Sequence, residues 1–311
     1  MQAACNQGFW HFGKARYNKR QQESAVQTEA FTIYQPLRRE TPVVFSSPHS
    51  GRDYPAAFLA ESVLDSHAIR SSEDAFVDDL FRSAPQHGAP LIAACAPRAF
   101  IDLNRAADEL DASVVEGVMR SPHNPRVASG LGVIPRVVAG GRAIYRGKMP
   151  LAEAEDRIRS HWQPYHAALR RLTEESHTQF GQAILIDCHS MPHEAIEAHA
   201  RPGFARPEVV LGDRFGAAAA RDVMDQVEAA FQRVGLRVSR NAPFAGAYIA
   251  QAYGRPSRGF HVVQIEIDRA LYMDEARVMP SADFASFQAL LAGVIAQIAD
   301  IGRTKLQLAA E

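Results

Sequence analysis

The sequence predicts an α/β fold, a mostly parallel, mixed sheet flanked by helices. Two observations carry that expectation. Short apolar runs, each stopped by small or turn residues, read as buried strands. Between them lie segments whose apolar residues recur every three or four positions, the spacing of one helix face. Buried strands alternating with helices make a parallel sheet covered on both faces.

The strand candidates come first. Pro42-Val43-Val44-Phe45 stops at Ser46-Ser47-Pro48-His49-Ser50-Gly51, and Leu91–Cys95 stops at Pro97. Ala183–Ile186 stops at Asp187-Cys188-His189-Ser190, and Glu208–Leu211 at Gly212-Asp213. Val262–Ile267 is the most β-branched of all. Helical spacing covers Asp74–Arg82 through Phe76, Val77, Leu80 and Phe81. It covers Leu151–Leu172 through Ile158, Trp162, Tyr165 and Leu169, with Pro164 as a kink. Phe215, Ala219, Val223, Val227 and Phe231 recur every four residues up to a stop at Gly235. Phe284, Phe287, Leu291, Val294 and Ile298 form the last stripe, with Ser281 as its N-cap. Residues 1–28 read as a flexible lead-in and 29–311 as one domain, since no repeat or linker divides them. Asp111–Lys148, with Gly130, Gly132, Gly140 and Gly141 and scattered arginines, reads as a long surface excursion of the kind that covers a site.

Composition narrows the function. Of 311 residues, 47% are apolar, enough for a sizeable core. Lys plus Arg is 34 against 35 for Asp plus Glu, so the net charge of −1 lacks the basic excess of a nucleic-acid or anionic-membrane binder. No run of 18 apolar residues exists, and the first 27 residues lack the order of a signal peptide. Three cysteines (Cys5, Cys95, Cys188) make no disulfide framework. A cytoplasmic enzyme with a small-molecule substrate is the expectation.

In open α/β sheets, ligands bind beyond the carboxyl ends of the strands. That rule selects His49 after the first strand, His189 after the third, Glu266 within the last, and Arg98 with Ile101-Asp102-Leu103-Asn104-Arg105 after the second. Two histidines and several acids at strand ends are the ingredients of a mononuclear zinc site with an open position. A carboxylate between Ile265 and Ile267 is costly to bury without a task or partner. His161, His166, His193 and His199 sit in polar, helix-like or loop-like surroundings and carry no expectation. No phosphate-binding G-x-x-x-x-G-K-[ST] and no G-x-S-x-G elbow is present, which disfavours a nucleotide-phosphate loop and a serine hydrolase.

Five stretches, in order, then carry a resemblance: Ser47-Pro48-His49-Ser50-Gly51 with Tyr54-Pro55; Glu73-Asp74-Ala75-Phe76-Val77-Asp78; Ile101–Arg105; Asp187-Cys188-His189-Ser190-Met191-Pro192; and Gln264–Ile267 followed by Leu271-Tyr272-Met273. Together they resemble the N-formylglutamate amidohydrolase family. The resemblance implies a zinc-exopeptidase-like (phosphorylase/hydrolase-like) domain with one catalytic Zn²⁺. It implies His49 and His189 as metal ligands, with Asp74 as the third and Glu73 as the fallback. Arg52 stands where the wider zinc carboxypeptidase group has a glutamate ligand. It further implies Glu266 as the acid/base, Arg98 as the group polarising the scissile carbonyl, and Asn104 and Arg105 as the holders of the substrate's α-carboxylate. A second carboxylate on the substrate calls for another arginine, with Arg136, Arg142 and Arg255 as candidates. The implied reaction is hydrolysis of N-formylglutamate to formate and glutamate, a late step of histidine breakdown. The alternatives are a deacylase of another N-acyl amino acid or short peptide, and a non-catalytic binding module on the same fold.

Overall fold

Eight strands form one sheet: β1 (Ser24–Gln27), β2 (Phe31–Gln35), β3 (Val43–Ser47), β4 (Leu91–Ala94), β5 (Ala183–Met191), β6 (Val209–Gly212), β7 (Val238–Arg240) and β8 (Phe260–Asp268). Their order in the sheet is β1-β2-β4-β3-β5-β8-β6-β7. The computed structural model describes residues 24–119, 124–197 and 206–303; Cys5, His199 and most of the expected lead-in lie outside them. The central strands β4, β3, β5 and β8 are parallel. On the flanks, β2 runs antiparallel to β4 and β6 antiparallel to β8.

From β3 the chain crosses to β4 on one side, then returns past β3 to β5 on the other. The winding therefore reverses between β3 and β5. At such a switch point the loops leave in opposite directions and a crevice opens beyond the carboxyl ends of the two strands. His49 lies just after β3, and His189 lies near the end of β5.

Alternating side chains send successive residues to opposite faces. Val43, Phe45, Ile184, Ile186, Val263 and Ile265 pack on one face, against the helices Arg221–Arg233 and Phe284–Asp300. Val44, Ile92, Leu185 and Val262 pack on the other, against Tyr165, Leu169 and Leu172 of the helix Gln163–Phe180. Asp187, His189, Gln264 and Glu266 share the parity of Leu185 and Val262 and so belong to this second face.

Several expectations need correction. Residues 24–27, read as lead-in, pair with β2 as β1. The helix expected over Asp74–Arg82 is only Val77–Leu80, because Phe76 adopts a left-handed φ of 66° that ends helical geometry before it. The kink expected at Pro164 lies just upstream, where Ile158–Trp162 is a π-helical segment joining Leu151–Arg157 to Gln163–Phe180. Pro164 itself sits in the first turn, where its missing N–H is not needed. Phe215 is exposed and left-handed, so its helix starts at Arg221. Ser281 accepts from the Asp283 N–H ahead of the last helix rather than capping it. The excursion from Asp111 is more than a surface cover, since Val114, Val133, Ile134 and Ile144 are fully buried beneath it.

Candidate metal centre and active site

Three buried side chains converge beyond β3 and β5. The turn after β3 carries His49, whose carbonyl accepts the Asp74 N–H at 3.0 Å and so draws Asp74 to the strand end. Asp74 Oδ2 lies 2.9 Å from His189 Nδ1 and 3.4 Å from His49 Nδ1. The two imidazole centroids are 4.7 Å apart, and one donor atom from each of the three residues falls within 4.8 Å of the others.

The far nitrogens are held as well. His49 Nε2 meets Asp102 Oδ1 at 2.7 Å, and His189 Nε2 meets Asp187 Oδ2 at 3.1 Å. A carboxylate on Nε2 favours a proton there, which turns the lone pair of Nδ1 towards the cluster. His49 Nδ1 is buried without a hydrogen-bond partner among the described residues. Burying such an acceptor costs free energy unless something fills the position. A two-histidine, one-carboxylate set with an orphaned nitrogen suits a zinc-type divalent cation.

The electrostatics agree with a site built for positive charge. Burial opposes the ionised Asp74, yet the hydrogen bond from His189 and the nearness of His49 hold its carboxyl well below the usual range. Burial opposes protonation of His189, yet Asp187 and Asp74 on either side raise it well above its usual value. A proton therefore sits between two carboxylates, in a place a metal cation would take with proton release. Arg269 closes the far side of Asp74, donating Nη2 to Oδ1 at 3.0 Å and Nε to Ser190 Oγ at 3.2 Å.

The cluster lies in a pocket of about 530 Å³, ordinary for a small-molecule site. Glu266 opposes His189 directly in the β5–β8 register and is only half-buried. Its Oε1 accepts from Gln264 Nε2 at 2.9 Å. Burial pushes the Glu266 carboxyl up to about 7, with His189 pulling against it. Arg98 lines the pocket and donates Nε to Asp102 Oδ2 at 3.0 Å.

Residues 41–273 match the family model of N-formylglutamate amidohydrolase. The chain belongs to the N-formylglutamate amidohydrolase family. Among its relatives, the N-formylglutamate deformylase of Pseudomonas aeruginosa is 30% identical over 243 residues, covering 76% of this chain and 84% of that one. The deformylase of Pseudomonas putida is 28% identical over 239 residues, covering 75% and 82%. The crystal structure of N-formylglutamate amidohydrolase from Ralstonia eutropha JMP134 superposes with a TM-score of 0.83 at 34% identity, over 89% of this chain and all of that one.

Within this family scaffold, His49, Asp74, His189, Glu266, Arg98, Asn104 and Arg105 all reach one pocket or its wall. Glu73, the fallback ligand, faces away and is held by Arg70 and Tyr54. Arg52 pairs with Asp78 and Asp79 outside the cluster. Asn104, expected to hold the substrate's α-carboxylate, lines the pocket and is also tied into the protein. Its Nδ2 lies 3.1 Å from Asp187 Oδ2 and 3.0 Å from His189 Nε2, while its Oδ1 accepts the Ile249 N–H. Both ends of that amide have partners inside the protein, which holds Asn104 beside His189 on the pocket wall. Arg105 donates Nε and Nη1 to the carbonyls of Leu131 and Asn104, which leaves Nη2 with no partner among the described residues. Arg136, Arg142 and Arg255, the candidates for the substrate's second carboxylate, are not among the residues that line the pocket. The first pairs with Asp111, Arg142 bonds the carbonyls of pocket-lining Ala139 and of Ala68, and Arg255 bonds those of Gln251 and Gly254. Asp102, Asp187 and Arg269 were given no role on sequence grounds. For Asp187 a signal existed, since it lies two residues before His189 and so on the same face of one strand.

Proposed function

We propose that this protein hydrolyses N-formyl-L-glutamate to formate and L-glutamate, using one zinc-class cation held by His49 Nδ1, Asp74 Oδ2 and His189 Nδ1. The observation that carries the reading is the buried His–Asp–His cluster beside Glu266, in a chain of this family. A cation of that class supplies Lewis acidity, polarising a carbonyl and acidifying a water molecule.

The protein's own groups do the rest. Glu266, poised near neutrality, accepts a proton as the water oxygen bonds to the formyl carbon, then delivers it to the departing nitrogen. The C–N bond breaks, the water oxygen stays in formate, and the nitrogen leaves as the glutamate amine. Arg98 stands at the pocket wall as the cation for the developing oxyanion. Arg105 Nη2 is the group left for the α-carboxylate. Buried free Cys95 and Cys188 suit a reducing compartment such as the cytoplasm. No described helix is long and apolar enough to cross a membrane.

The test is formate release from N-formyl-L-glutamate by chelator-treated protein, with and without added zinc. Activity should depend on the metal, and Glu266→Gln should lower turnover about 10²–10⁴-fold while keeping metal content. No formate from the zinc-loaded wild type would overturn the reading. Lost metal in Glu266→Gln would make Glu266 a ligand instead.

A further inference from the structure

The pocket wall contributed by the excursion holds an arginine that the reaction as derived does not use. Arg126 lies in the short helix Pro125–Ala128 and lines the same pocket as His49, His189 and Glu266. Its neighbours are committed elsewhere. Arg98 is paired with Asp102, Arg269 with Asp74, and Arg105 is fixed to two carbonyls. The Arg126 guanidinium has no hydrogen-bond or ion-pair partner among the described residues.

Its backbone is nonetheless firmly placed. Asn124 Oδ1 accepts the N–H groups of Arg126 and Val127, and Val127 is buried beneath. Leu131, a few residues on, supplies the carbonyl that fixes Arg105. Arg126 and Arg105 are thus set on one wall, near enough that Arg126 adds to the burial that lowers the Arg105 pKa. Asp102 and Glu109 offset part of the charge on Arg105, but the Arg126 guanidinium has no ion-pair partner among the described residues, which fits a ligand that brings its own negative charge. A dicarboxylic amino acid brings two, and Arg105 has only Nη2 free for one of them.

We propose that Arg126 is the specificity residue of this pocket, binding the side-chain carboxylate of an acidic N-acyl amino acid while Arg105 takes the α-carboxylate. The proposal rests on the reading of the site as an N-formylglutamate hydrolase. It explains why the fold carries an excursion over the crevice, because a second carboxylate several bonds from the scissile amide must be met on the wall and not at the strand ends.

The experiment compares N-formyl-L-glutamate with N-formyl-L-glutamine on zinc-loaded wild type, Arg126→Met and Arg126→Lys. Wild type should prefer the glutamate substrate by about tenfold or more in kcat/KM, the worth of one charge-assisted hydrogen bond. Arg126→Met should cut that preference by about tenfold or more, through the glutamate substrate, and Arg126→Lys should restore part of it. Calorimetric titration with L-glutamate and L-glutamine supplies a readout without turnover, in which wild type should favour glutamate and Arg126→Met should not. Equal losses on both ligands would assign Arg126 to the α-carboxylate or to structure and overturn the proposal. An unchanged preference would do the same. If wild type releases no formate, the proposed reaction fails while the titrations still decide Arg126.

Discussion

His49 and His189 each offer Nδ1 to the cluster because a buried carboxylate occupies Nε2. Partners of this kind fix the ring and the tautomer and raise ligand basicity, and their loss typically costs 10–100-fold in metal affinity. Asp187→Asn is the cleanest probe, since Asp187 lies on the β5 backbone and its size is kept. Zinc affinity measured by competition with a chromophoric chelator should fall by about 10–100-fold, with the circular dichroism unchanged. Unchanged affinity would make the Asp187 contact incidental. Much of this site was legible at the level of single residues, because a histidine beyond a strand end and a carboxylate in a β-branched strand are costly placements that stand out locally. Asp102 and Asn104 were harder. They make contacts to His49 and His189 that are 53 and 85 residues distant in sequence, and no local pattern reports such a meeting. Arg126 escaped notice for the opposite reason, since an arginine in a polar loop looks like any solvated charge.

At the scale of elements, β3, β4, β5, β6 and β8 announced themselves because they are apolar runs buried almost throughout, whereas β2 and β7 are partly exposed and carry no such run. Sequence order alone carries no sign that β6 returns antiparallel to β8. The glycines and arginines of the excursion suggest a cover, but its anchoring is internal. Asp111 Oδ1 accepts the Ser113 N–H, and Oδ2 accepts from Arg136 Nε, 25 residues on, at 2.8 Å. Arg136 in turn reaches the Ala128 carbonyl, so one carboxylate ties the start of the segment to the stretch that carries Arg126. Burial opposes the ionised Asp111, but the Arg136 and Ser113 contacts leave its pKa below the usual value. A group whose folded pKa is depressed stabilises the fold above its unfolded pKa, about 3.9, and loses that effect as pH falls through the folded value. Melting curves of wild type and Asp111→Asn should therefore differ most from about pH 5 upward, draw together as pH falls below about 4, and converge only below the depressed folded pKa. A gap independent of pH would mean that the ion pair contributes nothing and that only shape matters.

For the whole molecule, the placement of the site separates function from folding. The two large hydrophobic clusters close without the metal ligands, one on each face of the sheet, while His49, Asp74 and His189 meet beyond the strand ends. A small zinc module owes its fold to the ion, but here hundreds of residues bury a core of their own. The metal should then act as a ligand that binds the folded state, adding RT ln(1 + [metal]/Kd), or about 2.7 kcal/mol at a hundredfold excess over Kd. In a chain of this length each kcal/mol moves the melting point by roughly 2 °C. Chelator-treated protein should keep its circular dichroism and melt cooperatively. Added zinc should raise the midpoint by roughly 5 °C at that excess, increasing with the logarithm of its concentration. The histidines and Asp74 are buried, and the negative charge of Asp74, Asp102 and Asp187 around them is offset in the metal-free state by the proton on His189 and by Arg98 and Arg269. His49→Ala should abolish the zinc-dependent rise and also lower the zinc-free midpoint, because it removes the Nε2 contact to buried Asp102 together with the unpartnered Nδ1. If chelation alone unfolded the protein, the ion would be part of the core, and the separation of site from scaffold argued from the sheet would be wrong.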